Sequence, residues 1–150
     1  MKRGYKGTIL LMASLTLLMF SCSKGSDPTG SSPVPTVSSF NFTINYTKSP
    51  YTALATVGGV VYLTGYGYRG LLVYRLSNNQ VTVFDRTCTY DLSDNNGILL
   101  AQNNVTCICP DCGSEFTLTS GSVVTGPSTI GIQQYNASIN VGLGTITISH

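Results

Sequence analysis

The 150-residue sequence has no glycine-rich phosphate loop, no nucleophile elbow and no helical pattern carrying paired metal ligands. Those absences remove the usual sequence routes to nucleotide hydrolysis, serine-type acyl transfer and helix-borne metalloprotease chemistry. Charge is scarce too, at 9% of residues, and the few acidic side chains are scattered with no two placed as a general acid and base. Histidine occurs once, as the final residue His150. Ala, Glu and Lys are few, while Gly, Thr, Val, Ile and Tyr dominate, a balance that favours pleated strands over helices. No helix is strongly signalled. The apolar share of 42% in a chain this long supports one packed core of ordinary size, and the expected fold class is all-β.

The N-terminus stands apart from that domain. Lys2, Arg3 and Lys6 precede an apolar run over residues 8–20 that is too short to cross a bilayer comfortably. Met19-Phe20-Ser21-Cys22 then resembles a bacterial lipoprotein signal, with Phe20 bulkier than the residue usual there. The resemblance implies a signal peptide over residues 1–21, acylation of Cys22 and a lipid membrane as partner in the cell envelope. Simple secretory cleavage is the alternative. Ser23 after the acylated cysteine, where an acidic residue could stand, points by analogy to the outer membrane. Residues 22–36, rich in Ser, Gly and Pro, read as a flexible tether, leaving residues 37–150 as the folded domain. From Cys22 onward, Lys24, Lys48, Arg69, Arg75 and Arg86 face Asp27, Asp85, Asp91, Asp94, Asp111 and Glu115, a net charge of −1. No basic stripe remains to bind nucleic acid. Export also means an oxidising compartment, where thiols are paired or metal-bound more often than free.

Within the domain, Phe40, Phe42, Ile44 and Tyr46 alternate with polar residues, the period of a half-buried strand. Val60-Val61-Tyr62-Leu63 and Leu71-Leu72-Val73-Tyr74-Arg75 are near-continuous apolar runs, expected at the sheet centre with both faces covered. Gln80 to Phe84 returns after Ser77-Asn78-Asn79 as a hairpin. Residues 91–96 are polar and turn-forming, a surface loop. Two more hairpins are expected around Asn103-Asn104 and Ser120-Gly121, and a closing pair from Tyr135, Ala137, Ile139 and Val141 to Ile146 and Ile148.

The chemistry is concentrated in Cys107-Ile108-Cys109-Pro110-Asp111-Cys112-Gly113-Ser114, about twenty residues after Cys88-Thr89-Tyr90. Together with Gly126-Pro127 and the Tyr135 strand, these segments resemble a Rieske iron-sulfur domain over roughly residues 59–148. In that family two loops, C-x-H and C-x-x-H-G-S, hold a [2Fe-2S] cluster through two Cys and two His, and a Gly-Pro segment covers it. The resemblance implies a Rieske-like antiparallel β-sandwich with a two-loop tip. It also implies that Gly113, Ser114, Gly126 and Pro127 shape the loops.

The departures lie at the ligands. Cys88 and Cys109 take the cysteine positions, but Tyr90 and Cys112 occupy the two histidine positions. A His-ligated centre cannot be assembled from this chain, whose single histidine is His150. Three outcomes follow. A disulfide without metal could staple the loops, from Cys88 to Cys109 or Cys112, contributing about 3 kcal/mol. Alternatively Cys88, Cys109 and Cys112 form a thiolate knuckle for zinc or an altered [2Fe-2S] cluster. The third outcome leaves free thiols. Cys107, two residues before Cys109 on a strand, points the same way but starts about 7 Å away by strand rise and reads as a small buried hydrophobe, and the Tyr90 ring is expected to fill the volume of the lost cluster. The leading expectation is therefore an exported, lipid-anchored Rieske-like domain with no cofactor, a structural or binding module whose partner would be an envelope protein, and not an enzyme. An electron-transfer protein with a thiolate-ligated [2Fe-2S] centre and a zinc-stapled scaffold are the rivals.

Overall fold

The computed structural model describes residues 33–90, 92 and 97–150. The expected signal peptide, the acylation site Cys22, the tether up to residue 32 and all of the 91–96 loop but Leu92 lie outside the described residues. The described chain is all-β. Its strands are β1 (Asn41–Asn45), β2 (Val60–Leu63), β3 (Leu71–Ser77), β4 (Gln80–Asp85), β5 (Leu100–Gln102), β6 (Thr106–Ile108), β7 (Glu115–Thr117), β8 (Val123–Thr125), β9 (Gln134–Asn140) and β10 (Thr145–Ser149). They form a six-stranded antiparallel sheet in the order β1-β10-β9-β4-β3-β2 and a four-stranded meander β5-β6-β7-β8.

Each expected hairpin is present. The β5–β6 turn is made by Asn103 and Asn104, both with positive φ (44° and 58°), the left-handed pair that matches strand twist in a tight hairpin. β3 is buried on both faces, as its unbroken apolar run predicts. Leu71 and Val73 point into one core, while Leu72 and Tyr74 point into the other. The expectation fails for β2, which is the edge strand, with Tyr62 40% exposed. Its four apolar residues cover the sheet end, and the Tyr62 hydroxyl accepts the Ala101 N–H across to the small sheet at 2.9 Å. A short 3-10 helix, Thr52–Ala55, was not signalled; it plugs the fully buried Leu54 into the first core.

The first core takes residues from both ends of the six-strand order, Ile44 on β1 and Leu63 on β2, so the large sheet curls around its own interior. Phe42 of β1 stacks on Tyr66 of the β2–β3 connection at 3.8 Å, closing the curl. The second core lies between the sheets: Leu72, Tyr74 and Phe84 from the large one meet Leu99, Cys107, Phe116 and Leu118 from the small one. Cys88, Cys109 and the partly buried Cys112 sit at one edge of this apolar layer. The thiol site is thus built where the two sheets meet.

Candidate metal centre

Two loops carry the sulfurs. Cys88 leaves the end of β4, where its N–H donates to Gly97 O at 2.8 Å and Thr87 bridges to Ile98. Cys109 and Cys112 lie on the β6–β7 turn, a knuckle closed by Cys109 N–H to Ser114 O (2.8 Å) and Gly113 N–H to Cys109 O (2.9 Å). Gly113 makes this tight reversal possible by taking φ +75°. The three Sγ atoms converge within 4.8 Å of one another, with Cys88 and Cys112 at 3.5 Å. Cys88 and Cys109 are each 1% exposed and Cys112 is partly exposed.

The cysteines the sequence singles out therefore meet, and none of the described cysteines is in a disulfide. A bonded pair would bring two sulfurs to ~2.05 Å. Cys107 is fully buried on β6 among apolar side chains, outside the three-sulfur group, as expected for a small hydrophobe. Burial pushes its thiol pKa up to about 12. The reading of Tyr90 is corrected. Its side chain is 56% exposed and fills no cluster volume.

Burial and hydrogen bonds act in opposite balance on Cys88 and Cys112. Burial raises the Cys88 pKa, reinforced by the neighbouring Cys109 and Cys112 thiols and only partly offset by the Tyr90 N–H. At Cys112 burial also opposes ionisation. There it is outweighed by the Ser114 hydroxyl and backbone N–H and by the Cys109 and Cys88 thiols, which hold this thiol below its ordinary pKa. Cys112 Sγ donates to Ser114 Oγ at 3.1 Å, and the same oxygen accepts the Ser128 N–H at 2.9 Å.

Ser128 belongs to a third loop, which opens with the cis peptide Gly126–Pro127. It ties the first loop as well: Thr89 Oγ1 lies 2.8 Å from Ser128 Oγ and donates to Ile130 O at 2.6 Å. Thr89 and Ser128 were missed in the sequence. The one available signal was Ser128's place directly after the Gly-Pro pair. Asp85 was also missed. It is completely buried at the end of β4, and it accepts Tyr68 N–H (2.6 Å), Arg69 N–H (3.3 Å), Thr87 N–H (3.0 Å), the Thr87 hydroxyl and the Tyr135 hydroxyl (2.8 Å). That carboxylate fixes the backbone three residues before Cys88.

These donors do not fit the His-ligated two-iron centre: one histidine position holds an outward-facing tyrosine and the other a thiol. They do supply three of the four ligands of a single tetrahedral ion. Tetrahedral zinc with Zn–S of ~2.3 Å places its sulfurs ~3.8 Å apart, close to the observed span of three sulfurs within 4.8 Å. Ligands split between two irons stand farther apart than those sharing one metal.

The fold is similar to that of a chain in the complex of reduced oxygenase and oxidized ferredoxin in carbazole 1,9a-dioxygenase. The TM-score is 0.50 at 18% identity, over 74% of this chain and 92% of that one. The Sphingomonas yanoikuyae B1 ferredoxin aligns with a TM-score of 0.48 at 25% identity, over 65% of this chain and 92% of that one. No protein-family model and no curated protein matches the sequence. The architecture is Rieske-like.

Proposed function

We propose that this chain is an exported, lipid-anchored Rieske-like domain that binds one thiophilic metal ion, zinc foremost, through Cys88, Cys109 and Cys112. It serves as a metal-stapled structural or binding module of the cell envelope and not as an enzyme. The observation that carries the reading is the convergence of three unpaired sulfurs, drawn from two loops, within 4.8 Å of one another. Three soft donors, two on a closed knuckle and one on the loop after β4, suit zinc, and amide and hydroxyl groups around a sulfur favour the thiolate a metal requires. The anchor rests on the Cys22 signal alone, and with it the outer-membrane location.

A second reading is favoured by the Rieske-like architecture itself: an electron carrier holding a thiolate-ligated [2Fe-2S] centre. Thiolates in place of imidazoles would lower its potential by adding negative charge around the irons. Metal analysis of anaerobically purified protein, with a visible spectrum, separates the two. The metal-module reading expects a colourless protein with ~1 zinc per chain, lost in Cys112→Ser and kept in Cys107→Ser. A brown protein with iron and sulfide supports the electron carrier instead, and a protein that binds neither metal defeats both. Palmitate labelling that persists in Cys22→Ala would remove the anchor.

A further inference from the structure

The sulfurs of Cys88 and Cys112 are in contact, and the two cysteines differ sharply in access. Cys88 is 1% exposed at the base of its loop, whereas Cys112 is partly exposed on the knuckle. Their Sγ atoms stand 3.5 Å apart, so bond formation needs a closure of about 1.5 Å. Gly113, next to Cys112, has open space around its missing Cβ, so the knuckle is not packed in on that side. Cys109 is closed off on the other side, 1% exposed with its N–H and C=O both committed to the knuckle.

We propose that Cys88 and Cys112 form a reversible dithiol–disulfide couple whose oxidation dismantles the three-sulfur site. The oxidant is a small or protein disulfide of the envelope. The exposed Cys112 thiolate attacks one of its sulfurs, forming a mixed disulfide and releasing the first thiolate. Cys88, having given up its proton to water, then attacks the Cys112 sulfur. The Cys88–Cys112 bond forms, the mixed bond breaks, and the second thiolate leaves. Two thiols lose two electrons and two protons in all, and the incoming disulfide becomes two thiols. Cys109 alone is left as a donor, too few to hold an ion, and a dithiol reductant restores all three. The proposal depends on the metal-binding reading only for what oxidation releases.

The test treats the reduced full chain, with and without Zn²⁺, with oxidised glutathione, followed by alkylation, peptide mapping and chelator detection of zinc. The expected product joins Cys88 to Cys112, leaves Cys107 and Cys109 alkylatable, frees the zinc and is reversed by dithiothreitol. In Cys88→Ser the glutathione adduct stays trapped on Cys112, while in Cys112→Ser neither buried Cys88 nor Cys109 acquires one. A cross-link that includes Cys109, or a Cys112 left unmodified while a control dithiol is oxidised, overturns the couple. Formation of the Cys88–Cys112 bond in a chain that never takes up zinc sustains the couple and defeats the metal reading.

Discussion

Asp85 shows how much one buried side chain can organise. Its carboxylate accepts hydrogen bonds from residues 68, 69, 87 and 135, so the β2–β3 connection, the approach to Cys88 and β9 converge on two oxygens. Tyr135 is the partner whose removal is most informative. Its phenol is 5% exposed. Burial first, then the hydrogen bond to Asp85 and repulsion from that carboxylate, raise its pKa above the ordinary 10.0. A raised folded pKa means that the stability is fully present below the unfolded value and is lost as pH rises from there through the folded one. The loss between the two is about 1.4 kcal/mol per pH unit. Tyr135→Phe keeps the ring contacts with Phe40 and His150 but drops the hydroxyl. It should cost about 1.5–3 kcal/mol at pH 7, the range for a hydrogen bond to a charged acceptor. The deficit should shrink between pH 10 and 11. Urea midpoints of the two proteins at pH 7 and pH 11 check this; a constant gap would show that the phenol does not carry the alkaline dependence.

Strands and hairpins were legible because alternation and turn chemistry are local. Asn103-Asn104, Ser120-Gly121 and the paired runs of β9 and β10 each occur at their expected place. The edge position of β2 was not legible. Val60–Leu63 is as apolar as a central strand, and only the long-range order of the sheet leaves it with one neighbour. The same division holds at the site. Cys88, Cys109 and Cys112 stand out by spacing, whereas the hydroxyls lacing the three loops act over 14 residues from Ser114 to Ser128 and 39 from Thr89 to Ser128. Tyr90 was misread because the course of its loop, and not its type, decides exposure. Two predictions belong to these loops. Ser114→Ala removes the hydroxyl that partners both Cys112 Sγ and the Ser128 N–H, and zinc affinity measured by chelator competition should fall about 10- to 100-fold. An unchanged affinity would reduce Ser114 to a loop spacer. Gly67 and Gly113 provide a matched pair, with φ +69° and +75°. An added Cβ at Gly67 lies 2.6 Å from Asp85 Oδ2 and 2.9 Å from Leu71 Cδ2, but at Gly113 it meets nothing. Gly113→Ala should cost only the ~1–2 kcal/mol of left-handed backbone, and Gly67→Ala clearly more, by equilibrium unfolding.

The described residues form two sheets that meet across a shared apolar layer, and the sulfur site spans that joint. Cys88 comes from the exit of the large sheet, while Cys109 and Cys112 come from the small one. An ion held there opposes separation of the sheets, because the ligands are brought together only when the Leu72, Phe84, Leu99 and Phe116 layer is formed. Linkage then sets the size of the effect. A metal binding only the folded chain stabilises it by about 2.7 kcal/mol at a free concentration 100 times its Kd. Leu99, completely buried in that layer, gives the opposing perturbation, since Leu→Ala in a core costs about 2–5 kcal/mol. Zinc should therefore return most of the stability lost in Leu99→Ala, raising its midpoint in urea under reducing conditions by the same free-energy increment as in the parent chain. The increment should survive Cys107→Ala, which touches the layer but not the site, and vanish in Cys88→Ser, which leaves the small-sheet knuckle intact but uncouples it from the large sheet. If zinc stabilised Cys88→Ser as much as the parent chain, the ion would sit on the knuckle alone and the joint would be held by apolar packing without it.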